Sequence, residues 1–273
     1  MTPVQSSDLV LAATASCYAV SSAFYFTQLL GRAPRGQRWA KPLLGVAAAL
    51  HLGWFLLTAM IARACPVEGI HQATSLMALA AAIIFLLLGR FWRVDVIGAF
   101  LAPVCLTALL AARFVGVPDV IPPVRTAVLP LHVTAILLAS ALFAISSALA
   151  VTYLLQEKQL KKKKTAGLLQ RLPPLDVLDR ASHRFLLAGF PLLTIGILTG
   201  LVWIGRIGES EAGLLRQLLA YAAWLLFAAV LLMRAVAGWR GRRAAWGTIL
   251  GFGCAVLVFV VYLVRNVHAA KGG

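Results

Sequence analysis

LPLHVTAILLASALFAISSALAVTYLLQEKQLKKKK, residues Leu129 to Lys164, decides the fold class of this chain. A histidine, His132, stands at one edge of an apolar run of about twenty residues, long enough to cross the ~30 Å hydrocarbon core of a bilayer. A block of lysines closes the other edge. Basic residues are retained on the cytoplasmic side of membrane helices, so Lys158 and Lys161 to Lys164 orient the segment and His132 is expected at the opposite face.

The rest of the chain has the same character. Of its 273 residues 61% are hydrophobic and only 12% are charged, and its mean hydropathy is +0.89, far from a soluble globular composition. Eight segments are long and apolar enough to span, at about residues 9–30, 42–62, 70–88, 96–115, 131–155, 185–204, 214–233 and 245–264. Lipid offers the backbone no hydrogen-bond partners, and the alternating pattern of a barrel is missing, so these spans are expected as helices. The expected fold class is all-α: a polytopic transmembrane bundle of eight helices, forming a single integral membrane domain over residues 1–273.

Loop charge tests the count, because a wrong number of spans would scramble the alternation between sides. Eighteen of the 25 basic residues fall in alternate loops: Arg32, Arg35, Arg38, Lys41, Arg90, Arg93, Lys158, Lys161 to Lys164, Arg171, Arg180, Arg184, Arg234, Arg240, Arg242 and Arg243. That bias puts both termini outside the cytoplasm. The formal charge of +16 therefore reads as topology and contact with the lipid bilayer, and nucleic acid is not an expected partner. Cys17, Cys65, Cys105 and Cys254 are scattered singly, which argues against a disulfide framework, a zinc site or a dithiol centre. MTPVQSSD lacks the basic start of a cleaved signal peptide, so the first apolar run is expected to stay in the protein. The longest cytoplasmic connection, about Gln156 to Arg184, is broken by Pro173 and Pro174, and LDVLDRASHR after them suits a short amphipathic turn at the interface.

Ionisable groups within a membrane are costly unless they face a partner or water, so their positions carry the functional signal. All nine acids lie in loops or at helix ends, which lowers the case for a proton- or ion-coupled carrier. The histidines differ. His132 opens helix five at the outer face, His268 lies just past helix eight on that face, and His71 starts helix three there, close to Glu68. His51 lies near the middle of helix two, one turn before Trp54 and Phe55, and only His183 is cytoplasmic, between Arg180 and Arg184. Imidazole is a common axial ligand of heme iron, and His132 and His268 share a depth and a side while coming from distant segments, as two ligands of one heme would. Interfacial anchoring is the competing role for His71, His132 and His268, and a hydrogen-bonded core position is the competing role for His51. Trp39, Trp92, Trp239 and Trp246 suit the interfacial aromatic belt. Trp54, Trp203 and Trp224 suit either an apolar pocket or ordinary packing, and Gly196 with Gly200 permits a close helix contact.

Three segments in order carry a resemblance: LHVTAILLASALFAISSALAVTYLLQEKQLK, LPPLDVLDRASHRFLLAGFPLLTIGILTGLVW and GWRGRRAAW, with a looser echo in CPVEGIHQATSLMALAAAIIF. They resemble the cytochrome c assembly proteins of the CcsA and HemX type, closest to the short YpjD-like members, over about Leu129 to Val264. The resemblance implies a multi-pass protein of the bacterial cytoplasmic (inner) membrane that handles heme. It implies that His132 and His268 are axial ligands of the iron, with His51 matching an intramembrane histidine of the family. Larger members present heme on a tryptophan-rich outer loop between helices six and seven. Here that loop reads WIGRIGESEAGLLRQ and keeps Trp203 alone. Heme binding is therefore the implied activity, without the presenting loop.

The resulting expectation is a protein that binds b-type heme near its outer face, with His132 and His268 as ligands, His51 and His71 as further candidates, and Arg63, Arg125 or Arg206 facing the propionates. Its role would be heme handling, sensing or transfer in cytochrome biogenesis or heme homeostasis, with no chemical transformation of its own. A cytochrome-assembly partner or a soluble enzyme of tetrapyrrole synthesis would be its protein contacts. The alternatives are a permease for heme or another hydrophobic solute, and a membrane regulator or assembly factor of tetrapyrrole synthesis.

Overall fold

The computed structural model describes residues 3–29, 37–62, 70–88, 97–114, 128–162, 172–207 and 211–271. They form eight helices: α1 Pro3–Leu29, α2 Gln37–Ala62, α3 Ile70–Leu88, α4 Gly98–Phe114, α5 Val128–Lys161, α6 Leu175–Ile207, α7 Glu211–Val236 and α8 Arg242–Lys271. The fold is all-α, a membrane helical architecture. Among the described residues five helices, α1, α2, α5, α6 and α7, are long and apolar enough to cross a membrane, and α3 and α4 add shorter apolar helices.

Several helices run past the expected limits of their spans, α5 and α6 among them. α5 continues to Lys161, so at ~1.5 Å per residue it exceeds the hydrocarbon thickness and carries Lys158 and Lys161 beyond it. α6 begins at Leu175 and takes in LDVLDRASHR, which is therefore the opening of a long helix and not a separate turn. Pro174 starts it: the amides of Val177 and Leu178 donate to the Pro174 carbonyl at 2.9 and 3.2 Å, and Asp176 lies in the first turn, where the helix dipole favours an acid.

The chain divides into two compact units, one built from α1 to α4 and the other from α5 to α8. In the first, Tyr18, Leu44, Phe55, Leu79, Phe85 and Leu109 are buried between the helices. Gly98 at the start of α4 lies against the ring of Tyr25, leaving no space for a Cβ. The Ser21 hydroxyl donates to the Ala40 carbonyl at 2.9 Å, joining α1 to α2.

In the second unit the rings of Phe143 (α5) and Phe227 (α7) pack at 4.1 Å between centroids. Glycines make room for both: a Cβ on Gly189 of α6 would meet Phe143 at 2.6 Å, and one on Gly251 of α8 would meet Phe227 at 2.5 Å. Ala139, Leu186, Leu193, Ala223 and Val230 complete this core. Below it Ser146 and Ser182 bond reciprocally: each hydroxyl donates to the other's carbonyl, at 2.8 and 3.0 Å. Small polar residues of this kind join membrane helices without a hydrophobic driving force.

Candidate functional site

α5 and α6 continue towards the far end of the second unit through two notches. Gly196 and Gly200, one turn apart in PLLTIGILTG, receive Ile136 and His132, one turn apart on α5. A Cβ on Gly196 would collide with the end of Ile136, and one on Gly200 would lie 3.0 Å from His132 Cε1 and 3.4 Å from Nδ1. The small pair in α6 thus seats the candidate ligand itself.

His132 is held by its Nδ1, which lies 2.8 Å from the Gly196 carbonyl oxygen and 3.2 Å from Thr199 Oγ1. A carbonyl only accepts, so Nδ1 carries the proton and donates. The Thr199 hydroxyl is directed back along its own helix, 2.7 Å from the Ile195 carbonyl, which leaves its oxygen free to accept. In the neutral ring this arrangement leaves Nε2 unprotonated with an available lone pair. Among the described residues none hydrogen-bonds that nitrogen. Backbone or carboxylate partners on the other ring nitrogen orient metal-bound histidines in the same way. Beside the site, Trp224 stacks on Phe190 at 5.4 Å between centroids and donates to Thr194 Oγ1 at 3.0 Å.

His268 falls in the last turns of α8 and His71 in the first turn of α3. Their side chains lie outside the described residues, as do those of Arg206 and Trp203, and as do Arg63 and Arg125 altogether.

His51 belongs to the first unit and is fully buried. Its Nδ1 lies 3.2 Å from the Tyr18 hydroxyl, and its Nε2 lies 2.9 Å from the Ser75 hydroxyl. The rings of Tyr18, Trp54 and Phe55 surround it at 5.8 to 6.3 Å between centroids. Both ring nitrogens are engaged, so ligation through His51 would require it to release one of these bonds. The Cys105 thiol donates to the Ala78 carbonyl at 3.2 Å, extending the polar contacts to α4. The Trp54 indole N–H is buried with no hydrogen-bond partner among the described residues.

A third constellation escaped the sequence reading. Asp179 of α6 accepts two parallel bonds from Arg234 of α7, Nη1 to Oδ1 at 3.0 Å and Nη2 to Oδ2 at 2.6 Å. It also accepts the Gly241 amide at 2.9 Å. The two side chains are only 12% and 10% exposed. His183 lines a small pocket with Asp179, Ser182, Arg234, Tyr153 and Thr248. The available signal was positional: an acid near the start of one span and an arginine at the end of another, both at cytoplasmic edges.

The model of the cytochrome c assembly protein family matches residues 40–268. The chain is 27% identical over 230 residues to the cytochrome c biogenesis protein CcsA of Parasynechococcus marenigrum strain WH8102, covering 74% of each. It is 28% identical over 219 residues to the protein HemX of Brevibacillus brevis, covering 76% of this chain and 80% of the relative. Among solved structures, the cytochrome c heme lyase CcmF superposes with a TM-score of 0.65 at 16% identity, over 97% of this chain and 52% of that one, a likeness of fold.

Proposed function

The chain belongs to the cytochrome c assembly protein family, and from that premise we propose that it binds b-type heme reversibly, with His132 and His268 as the axial ligands. The observation that carries the reading is the bond from His132 Nδ1 to the Gly196 carbonyl, which leaves Nε2 as a basic nitrogen. When bound, heme would supply an iron centre whose potential follows its axial ligands and the polarity of their surroundings. This chain's residues would hold it: His132 in the glycine notch of α6, His268 from the end of α8, and Arg125 or Arg206 for the propionates. The role is heme handling or transfer near the outer face, in cytochrome biogenesis or heme homeostasis. His51, with both nitrogens engaged, supports the packing of α1 to α3 in this reading and not the iron.

The test is the optical spectrum of the full chain purified from cells supplied with heme. A sharp low-spin Soret band is expected, extractable by acid acetone because no covalent bond holds it, and lost in His132→Ala and in His268→Ala while His51→Ala keeps it. A colourless wild-type protein would overturn the proposal.

A further inference from the structure

The connection between α7 and α8, GWRGRRAAW, presents three arginines on a fixed turn. α7 closes on Gly238, whose φ of 64° only glycine adopts readily, and the Trp239 amide returns to the Met233 carbonyl at 3.2 Å, the closure of a Schellman turn. Gly241, with φ of 66°, starts α8: its carbonyl takes the Ala245 amide at 2.9 Å, and its own amide is held by Asp179. The turn is thus pinned at both glycines and tied through Asp179 to α6. Arg240, Arg242 and Arg243 project from it, all exposed, and none makes an ion pair or a hydrogen bond with any described residue. Asp179, which holds the Gly241 amide, is already saturated by Arg234 and Gly241.

What continues from these arginines is apolar. At ~100° per residue, Arg242, Trp246, Leu250, Leu257 and Val260 share one face of α8, and all five are exposed. The opposite face, with Ala244, Thr248 and Gly251, is buried in the unit. Trp246 sits one turn beyond Arg242, the order of charge and indole that suits a headgroup boundary. A cationic cluster, then an indole, then an apolar stripe matches one molecule end to end, an anionic phospholipid with its phosphate on the arginines and its acyl chains along α8. A soluble acidic protein would have no use for the stripe.

We infer that the α7–α8 turn and the outer face of α8 form a binding site for an anionic phospholipid, with Arg240, Arg242 and Arg243 holding the headgroup phosphate. Arginine suits this because its planar fork pairs with phosphate oxygens through two parallel bonds. Each basic residue near an anionic headgroup contributes about a fivefold change in binding, so loss of all three should weaken it on the order of a hundredfold.

Native mass spectrometry of the full chain, delipidated in detergent and titrated with phosphatidylglycerol, cardiolipin or phosphatidylcholine, tests the site. Tight retention of an anionic lipid is expected for wild type. That retention should fall steeply in Arg240→Gln/Arg242→Gln/Arg243→Gln and persist in Lys161→Gln/Lys162→Gln. Trp246 gives a second readout: phosphatidylglycerol brominated on its acyl chains should quench wild-type fluorescence more than that of Trp246→Phe. If the triple variant does not fold, Arg242→Gln alone carries the test, with a loss of about fivefold. Equal binding of phosphatidylcholine, unchanged retention in the arginine variants, or full displacement by inorganic phosphate would each overturn the inference.

Discussion

Replacing Asp179 by alanine should destabilise the second unit more than any other single loss of charge among the described residues. Asp179 accepts three charge-assisted bonds, from Arg234 Nη1, Arg234 Nη2 and the Gly241 amide, at 3.0, 2.6 and 2.9 Å. With Arg234 only 10% exposed, removing its carboxylate leaves a guanidinium buried without its counter-ion. Such removals cost ~3–5 kcal/mol, because the remaining charge keeps its desolvation penalty and loses its compensation. At roughly 2–4 °C per kcal/mol, Asp179→Ala should lower the unfolding temperature in detergent by about 10 °C. Asp176→Ala is the internal control: its pair with Arg180 is 67% and 59% exposed, and exposed pairs contribute roughly 0–1 kcal/mol. The double variant Asp179→Ala/Arg234→Met removes both charges and fills the space with apolar atoms, so it should recover most of the loss. A residual ~1 kcal/mol would remain for the Gly241 amide. Circular dichroism melts of the four proteins make the comparison. A drop no larger than that of Asp176→Ala, or a double variant that is simply additive, would refute the reasoning.

Gly200→Ala should place a methyl against the His132 ring, where a Cβ would sit 3.0 Å from Cε1; the ring must turn, and heme retention measured by the Soret band should fall several-fold. Thr199→Val removes one acceptor from Nδ1 but leaves the Gly196 carbonyl, so its effect on heme content should be smaller than that of Gly200→Ala. In the first unit, His51→Ala leaves a cavity and deprives the Tyr18 and Ser75 hydroxyls of a partner. It should cost about 3 kcal/mol, read as a lower melting temperature with the Soret band retained. Phe227→Ala empties a fully buried ring position against Phe143 and should cost ~3–5 kcal/mol.

The class of the fold was legible before any coordinates. Apolar runs of spanning length leave the backbone no partner but itself, so eight helices follow from hydropathy and length alone. Pro174 was visible as a break, and the structure uses it as a helix start. The helix ends were less legible: α5 and α6 extend well past their apolar runs, because once a helix has formed its polar turns outside the bilayer continue at little cost.

Side-chain pairing lay beyond the sequence. His132 stood out by type and position, yet nothing in the chain of letters said that Gly196 would supply its acceptor 64 residues later or that Gly200 would open space for its ring. His51 stood out equally, and the structure gives both its nitrogens to Tyr18 and Ser75. Asp179 did not stand out, although Arg234 and Gly241 converge on it from 55 and 62 residues away. Hydropathy is a property of each segment by itself, so sequence alone determined which parts of this chain become membrane helices. Hydrogen bonds depend on the rotation and depth of one helix against another, so only the tertiary structure decided that, among the described residues, His132 bonds through one ring nitrogen and His51 through both, and which acid is locked.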